Sequence, residues 1–449
     1  MFKRRELIAG IAAGAIGSRA VASAQTANPE LPAVATTEPS LVLRDVKGSI
    51  QERIDAYLKR TGLDAPESSV SVLQGIGNVI VPSDHPQWVQ HRTLAFEEAI
   101  IKAQQSYIGK QQVKISADAI SILYKAADRE PPPYNEGDLG DPGKVAEIAR
   151  KALAVTGGTM DKALEQLGVD PRGLEKAPPA QKHIQFSRAL AISGFEKSFG
   201  SLTGMIPKFS VEAHDGQGNY QIGVVALVSN PLRNLAQSVL RLRGNFTPDV
   251  ARAQDFRTVV SDKAALVDLF GVRWMRDLEG LPVLVSFAQW GVERTGTKNV
   301  AMLAEYEDVA LRQAEIRAGQ QIAEFLSASG ELESNAEFKK KLEETAERMA
   351  DGYIAQKDPI SSLEAPLRET MKRRARLNNL TGLETLAKWK RSHPDVPQHV
   401  IYGAVRFWSA AGEAGIRAQL DGRAAKATPG AGPTRSQAGT RESKDVGDF

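Results

Sequence analysis

Two stretches of this chain repeat one short pattern at nearly the same spacing. Leu202-Thr203-Gly204 is followed, 19 residues after its glycine, by Gly223-Val224-Val225 and then Ser229. Leu380-Thr381-Gly382 is followed, 21 residues after its glycine, by Gly403-Ala404-Val405 and then Ser409. In each copy alternating residues predict a second strand that hands over to a helix. A second echo pairs two helices with small inward positions. Ala95, Ala99 and Ala103 recur four residues apart after a strand-like run, as do Tyr306, Ala310, Ala314, Ala318 and Ile322 after a hairpin. A small-residue stripe lets a helix sit close against a sheet. The patterns predict an α+β fold of repeated β-hairpin plus Ala-rich helix modules, with additional helical segments. Duplication and the chance recurrence of small apolar helices and Gly-ended strands both account for the echoes.

The first 24 residues have the order of a cleavable export signal: a basic head (Lys3, Arg4, Arg5), an apolar run from Leu7 to Gly17, and the ending Ala22-Ser23-Ala24. The run is far short of the roughly 20 residues needed to span a bilayer, so no transmembrane anchor is expected. Arg4-Arg5-Glu6-Leu7-Ile8 resembles a twin-arginine motif, although Lys3 stands where that motif has Ser or Thr; an ordinary secretory signal is the alternative. Either route predicts a periplasmic or secreted protein. The chain has no cysteine, which excludes disulfides, a thiolate nucleophile and a lipidated cysteine. The net charge of +3 equals that of the signal, where Lys3, Arg4, Arg5 and Arg19 face Glu6, so the rest is formally neutral. A neutral chain is a poor match to nucleic acid, which needs an excess of Lys and Arg.

Composition divides the chain beyond the signal. Residues 25–48 read as a disordered leader, and 49–130 as an N-terminal α+β module with a helix over 49–63, a strand over 69–81 and a helix over 88–108. On that second helix His91 heads the inward stripe. Gly75 and Gly77 mark a bulge or a close backbone approach. Pro131-Pro132-Pro133 opens a Pro-rich linker with short helices over 131–179. A central α+β domain over 180–330 holds a hairpin turning at 215–219, a helix from Asn230-Pro231 through Leu240, a hairpin turning at 277–280, and a helix over 300–326. Residues 331–421 form a helical segment, Ser334 to Leu377, and a C-terminal hairpin module; 422–449 read as a disordered tail.

The residues that could carry chemistry do not assemble into a catalytic motif. None of the six histidines pairs at helix-face ligand spacing, so no metal is expected. His393 and His399 read as exposed loop histidines able to converge around Pro394 and Pro397. Asp84-His85 before His91 could orient an imidazole, but no GxSxG serine is present to use it, and Asp84 reads better as part of a helix start. There is no phosphate loop, and Gly75-Ile76-Gly77 lacks a third glycine, so no cofactor is expected. Glu97-Glu98, Glu305, Glu307, Asp308 and Glu343-Glu344 read as solvated helix faces, and Asp277 and Glu279 as turn formers. No catalytic residue can be chosen. A possible partner surface combines the strand aromatics Trp290, Trp389 and Trp408 with the basic run Lys372, Arg373, Arg374 and Arg376. Core packing is the alternative for the aromatics, as is i,i+4 pairing for the run.

Gly75-Ile76-Gly77-Asn78-Val79 feeding an Ala-stripe helix, and Pro282 to Phe287 leading to Tyr306 through Leu326, resemble small envelope lipoprotein and flagellar-accessory domains built as hairpin plus Ala-rich helix. The LTG and GxVxxxS signatures resemble a family of uncharacterised exported bacterial proteins. The resemblance implies no catalytic residues, and the absence of a lipidation cysteine departs from the lipoprotein members. The expectation is an exported, non-enzymatic envelope assembly or adaptor protein whose partner is an envelope protein or a cell-wall polymer. The alternatives are a hydrolase acting on cell-wall or glycan material and a small-molecule binding module.

Overall fold

The structure, a computed structural model, describes residues 37–42, 46–65, 69–126, 200–215, 219–292, 299–327 and 380–426, with a few isolated positions between them. The expected signal peptide, nearly all of the Pro-rich linker, the helical segment 334–377 and the tail beyond 426 lie outside the described residues.

The described chain begins with β1 (Thr37–Val42), α1 (Val46–Thr61), β2 (Val70–Val79) and α2 (Trp88–Ala126), followed by β3 (Ile206–His214), β4 (Tyr220–Ser229) and α3 (Asn230–Leu242). Short 3-10 turns between 250 and 268 lead to β5 (Gly271–Arg276), β6 (Pro282–Gly291) and α4 (Val300–Ser327), then β7 (Leu383–Ser392), β8 (Val400–Ser409) and α5 (Ala410–Lys426). The fold is α+β. One sheet has the order β1-β3-β4-β2 and the other β5-β6-β8-β7. Every pairing is antiparallel except β1 with β3.

Three expected boundaries move. Residues 37–42, read as disordered leader, form β1, because an extended segment can take up backbone groups at the border of β3. Helix α2 runs on past Ile108: Ile120 and Tyr124 are buried further along it, so its apolar face continues beyond Gly109. Helix α5 carries the described chain to Lys426, past the expected start of the tail.

The glycines set the layers. Gly75 pairs with Val224 and Ile76 with Gly223, so these two successive pairs direct their side chains to opposite faces of the first sheet. A Cβ on Gly223 would meet Val211 and the α1 residues Ile50 and Ile54, whereas one on Gly75 would overlap the Ala99 carbonyl oxygen of α2. Helices α1 and α2 therefore cover opposite faces. The register of β2 is unbroken, so Gly75 and Gly77 serve a close approach and not a bulge; Ala95, Ala99 and Ala103 are all buried against them. The far side of α2 packs with the 3-10 turns onto the second sheet, where Val283, Val285, Phe287, Val405 and Phe407 complete a core with Trp88, Phe96 and Phe270. On that sheet's outer face lies α4, with Ala310, Ala314, Ala318 and Ile322 buried.

Elements follow the same order in both halves. A strand leads to an Ala-striped helix (β2–α2, β6–α4), and later a hairpin leads to a second helix (β3–β4–α3, β7–β8–α5). Gly204 and Gly382 share a left-handed backbone, φ 77° and 80°, and each abuts the backbone of the following helix, at Leu232 and Glu413 respectively. Ser229 and Ser409 each accept a hydrogen bond at that helix's start, from the amides of Leu232 and Gly412.

Because a Cβ at position 75 would also lie 2.7 Å from the Ala103 amide nitrogen, only backbone movement could admit it. Gly75→Ala is expected to destabilise the fold by about 3 kcal/mol through overpacking, read as a lower urea midpoint at unchanged slope.

Candidate functional site

A polar cluster lies inside the core between the two sheets. Arg92 sits on α2 one turn after Trp88 and one turn before Phe96, so the helix period directs it inward, and it is fully buried. Its Nε donates to Glu212 Oε2 at 3.1 Å, and its second terminal nitrogen reaches both Glu212 Oε1 and the Val267 carbonyl, the latter at 3.1 Å. The other terminal nitrogen donates to Gln289 Oε1 at 2.7 Å. Glu212 comes from β3 of the first sheet and Gln289 from β6 of the second. The Gln289 amide donates to the carbonyls of Leu266, Val267 and Leu269, fastening the turn segment as well.

Two further groups close on the same carboxylate. The Tyr220 hydroxyl donates to Glu212 Oε2, and His393 Nε2 lies 3.4 Å from that oxygen and 3.3 Å from the tyrosine hydroxyl. His393 Nδ1 accepts the amides of Asp395 and Val396, both at 3.2 Å, which places the proton of the neutral ring on Nε2, facing Glu212. His399 holds the β7–β8 connection through the Ser83 carbonyl, 2.6 Å from its Nε2, and stacks on Trp88.

Burial alone would raise the Glu212 pKa, but the Arg92 charge and the His393 hydrogen bond outweigh it and hold the carboxyl well below its ordinary range. Burial lowers the His393 pKa, so its ring is neutral at pH 7 despite Glu212. Asp268 is pushed up to about 6 by burial and by the Glu212 charge, with Arg92 opposing. The cluster is saturated internally and closed to solvent. It has the chemistry of a structural lock.

An open groove lies elsewhere. It has a volume of about 660 Å³ and runs along β2 between α1 and α2. Gln51, Gln74, Asn78 and Gln221 line its polar floor, with Gln51 bonded to Gln74 at 3.1 Å and Gln221 to Asn78 at 2.7 Å. Its walls carry Lys47 from α1 and Lys102 and Lys110 from α2. No carboxylate or imidazole is among its lining residues.

Other residues singled out from the sequence lie differently from expectation. His393 and His399 are buried, because the aromatic face of Trp88 fills the space beneath their loop. His91 is only half-buried beside His85; the inward position is its neighbour Arg92. Trp389 packs over Gly403, and Trp408 is buried with its Nε1 donating to Glu413, the core packing given as the alternative for these aromatics. Trp290 is half-buried beneath the Arg317 guanidinium, 4.1 Å from its ring centroid. Lys372, Arg373, Arg374 and Arg376 lie outside the described residues. Several carboxylates read as solvated faces tie elements together: Glu98 of α2 caps the Asn78 amide of β2, Glu97 of α2 pairs with Arg317 of α4, and Glu307 of α4 holds Lys390 of β7 and Tyr402 of β8. Asp277 accepts the amides of Glu279 and Leu281, as its turn requires. The signal that could have found Arg92 is its i±4 spacing from Trp88 and Phe96.

Fold and site together define an α+β protein with two helix-flanked sheets fastened by a buried polar lock. Residues 145–241 match a family described as a domain of unknown function (DUF6844), and the described part of that stretch holds β3, β4 and α3. A solved structure, Hypothetical Protein FTT1539c from Francisella tularensis, is similar with a TM-score of 0.50 and 19% identity over 83% of this chain and 95% of that one. At that identity the likeness is one of fold. Among curated proteins none matches.

Removing one partner of the lock strands the other charge. Arg92→Met is expected to cost about 3–5 kcal/mol in chemical denaturation, and Arg92→Met combined with Glu212→Leu to recover most of it. Asp268 gives a pH signature. A raised carboxyl contributes stability that is fully present below its unfolded pKa, near 4, and is lost as pH rises through about 6. Asp268→Asn should therefore stabilise the protein by about 2–3 kcal/mol at pH 8, relative to the parent, and by almost nothing at pH 4.

Proposed function

We propose that this chain is an exported, non-enzymatic adaptor of the bacterial envelope, holding a partner at the groove along β2. The observation that carries this reading is the lining of the groove: amides and lysines able to hold a polar, anionic partner, with no carboxylate pair to act as acid and base. Glycan hydrolysis needs two carboxyl groups facing one bond, whereas the carboxylate best placed for chemistry, Glu212, is ion-paired inside the core. The N-terminal basic, apolar and small-residue order supports export, and the resemblance to envelope lipoprotein and flagellar-accessory domains supports an assembly role. The shared element order and the matched Gly204 and Gly382 turns support the reading that the halves are copies of one unit.

A small-molecule binding module is the second reading, favoured by the volume of about 660 Å³, within the range of about 300–1,000 Å³ typical of ligand pockets.

Two measurements test the proposal. The intact mass of protein recovered from the periplasmic fraction is expected to begin at Gln25, and recovery of an uncleaved chain in the cytoplasm would overturn export. Affinity capture of residues 25–449 from the envelope fraction is expected to bring down a stoichiometric partner that is lost with Lys47→Glu plus Lys110→Glu; a protein that comes down alone would sink the adaptor reading.

A further inference from the structure

The backbone of β2 adds a second feature to the groove. The Asn78 amide points away from β4 and donates to the Glu98 carboxylate at 2.9 Å. Since β2 pairs with β4 without a register break from Val70 to Val79, the period of two sends the backbone N–H and C=O groups of Val72, Gln74 and Ile76 in the same direction. They face the border of the sheet, where no described strand lies. Glu98 therefore closes one end of this border and leaves the rest open to the groove.

An open strand border is a template for another strand, and proteins that use one for recognition draw affinity from its backbone and selectivity from flanking side chains. The charged residues that line the groove are cationic on both walls, Lys47 on one and Lys102 and Lys110 on the other. Lys102 is paired with Glu98 at 2.6 Å, while Lys47 and Lys110 have no ion-pair partner among the described residues. Resting on the adaptor reading and naming its partner's chemistry, we propose that an extended acidic peptide segment joins the first sheet beside β2. It bonds the backbone of Val72, Gln74 and Ile76 and places its carboxylates against Lys47 and Lys110. At a rise of about 3.3 Å per residue, the stretch from Val72 to Ile76 matches about five residues of such a segment.

The probe is a fluorescent decapeptide of alternating Val and Glu, titrated by anisotropy against the full mature chain. Saturable binding is expected, weakened at least about tenfold when Gln replaces Glu in the peptide or when the protein carries Lys47→Glu and Lys110→Glu. Ile76→Pro should weaken it similarly, since its amide faces away from β4 and the substitution removes no bond within the sheet. A decapeptide N-methylated at every residue keeps the charges but cannot donate backbone hydrogen bonds, and it should fail to bind. Equal binding of the methylated probe would overturn strand addition in favour of charge alone. Binding of a uronic-acid oligosaccharide in place of the peptide would assign the groove to a glycan. If no probe binds while an envelope partner still co-purifies with the double lysine variant, the groove proposal fails and the adaptor reading survives with its site elsewhere.

Discussion

Arg92 carries a charge that cannot be neutralised at any relevant pH, in a place water does not reach. Everything around it answers that cost. Left alone, such an ion would lose several kcal/mol of hydration, so the fold is stable only in the arrangement that brings Glu212, Gln289 and the Val267 carbonyl to the same guanidinium. Those three groups come from the first sheet, the second sheet and the turn segment. The planar fork of arginine permits this, because its donors point in fixed and different directions, which a lysine could not reproduce. The ion pair need not add net stability to matter. Its effect is on geometry: any slip of one sheet over the other leaves a buried charge unpaired.

Close packing elsewhere depends on the same alignment. The two sheets grip α2 from opposite sides, so the helix must approach β2 nearly backbone to backbone, which Gly75, Gly77 and the alanines opposite make possible. On its other side Gly291 of β6 lies against Val89, and Phe270 stacks on Phe96 while its ring also faces the Arg92 guanidinium at 4.9 Å. Apolar and polar contacts thus fix one position of α2, and Trp88, Tyr220 and His393 pack edge to face at the end of the cluster.

What the sequence made legible is local. The hairpins β3–β4 and β5–β6 follow from alternating runs separated by Gly and Asp residues, which accept the backbone conformations tight turns require, and the α4 stripe follows from helical period alone. The two LTG turns stand out as a pattern in the sequence, and their left-handed glycines give that pattern its reason. What was not legible depends on partners distant in the chain. Arg92 looks like a surface residue because its acid lies 120 positions away and its amide 197. His393 and His399 sit in a loop rich in proline, and only Trp88, some 300 residues earlier, makes that loop part of the core. Trp389 and Trp408 alternate correctly for either surface or interior, and the choice belongs to Gly403 and Glu413.

The position of the groove depends on a difference between otherwise parallel halves. In the second sheet β6 is flanked on one side by β8 and on the other by β5, so the strand that leads into its Ala-striped helix is fully paired. In the first sheet the corresponding strand, β2, meets β4 on one side only, and the additional strand β1 lies at the opposite border, beside β3. An unpaired strand invites uncontrolled association unless something limits it. Here the limit has two parts: the Glu98 carboxylate takes up the Asn78 amide that an added strand would need, and lysines on both walls disfavour a basic strand relative to an acidic one. The asymmetry that separates the halves is thus also what leaves one of them a strand border with no neighbour among the described strands.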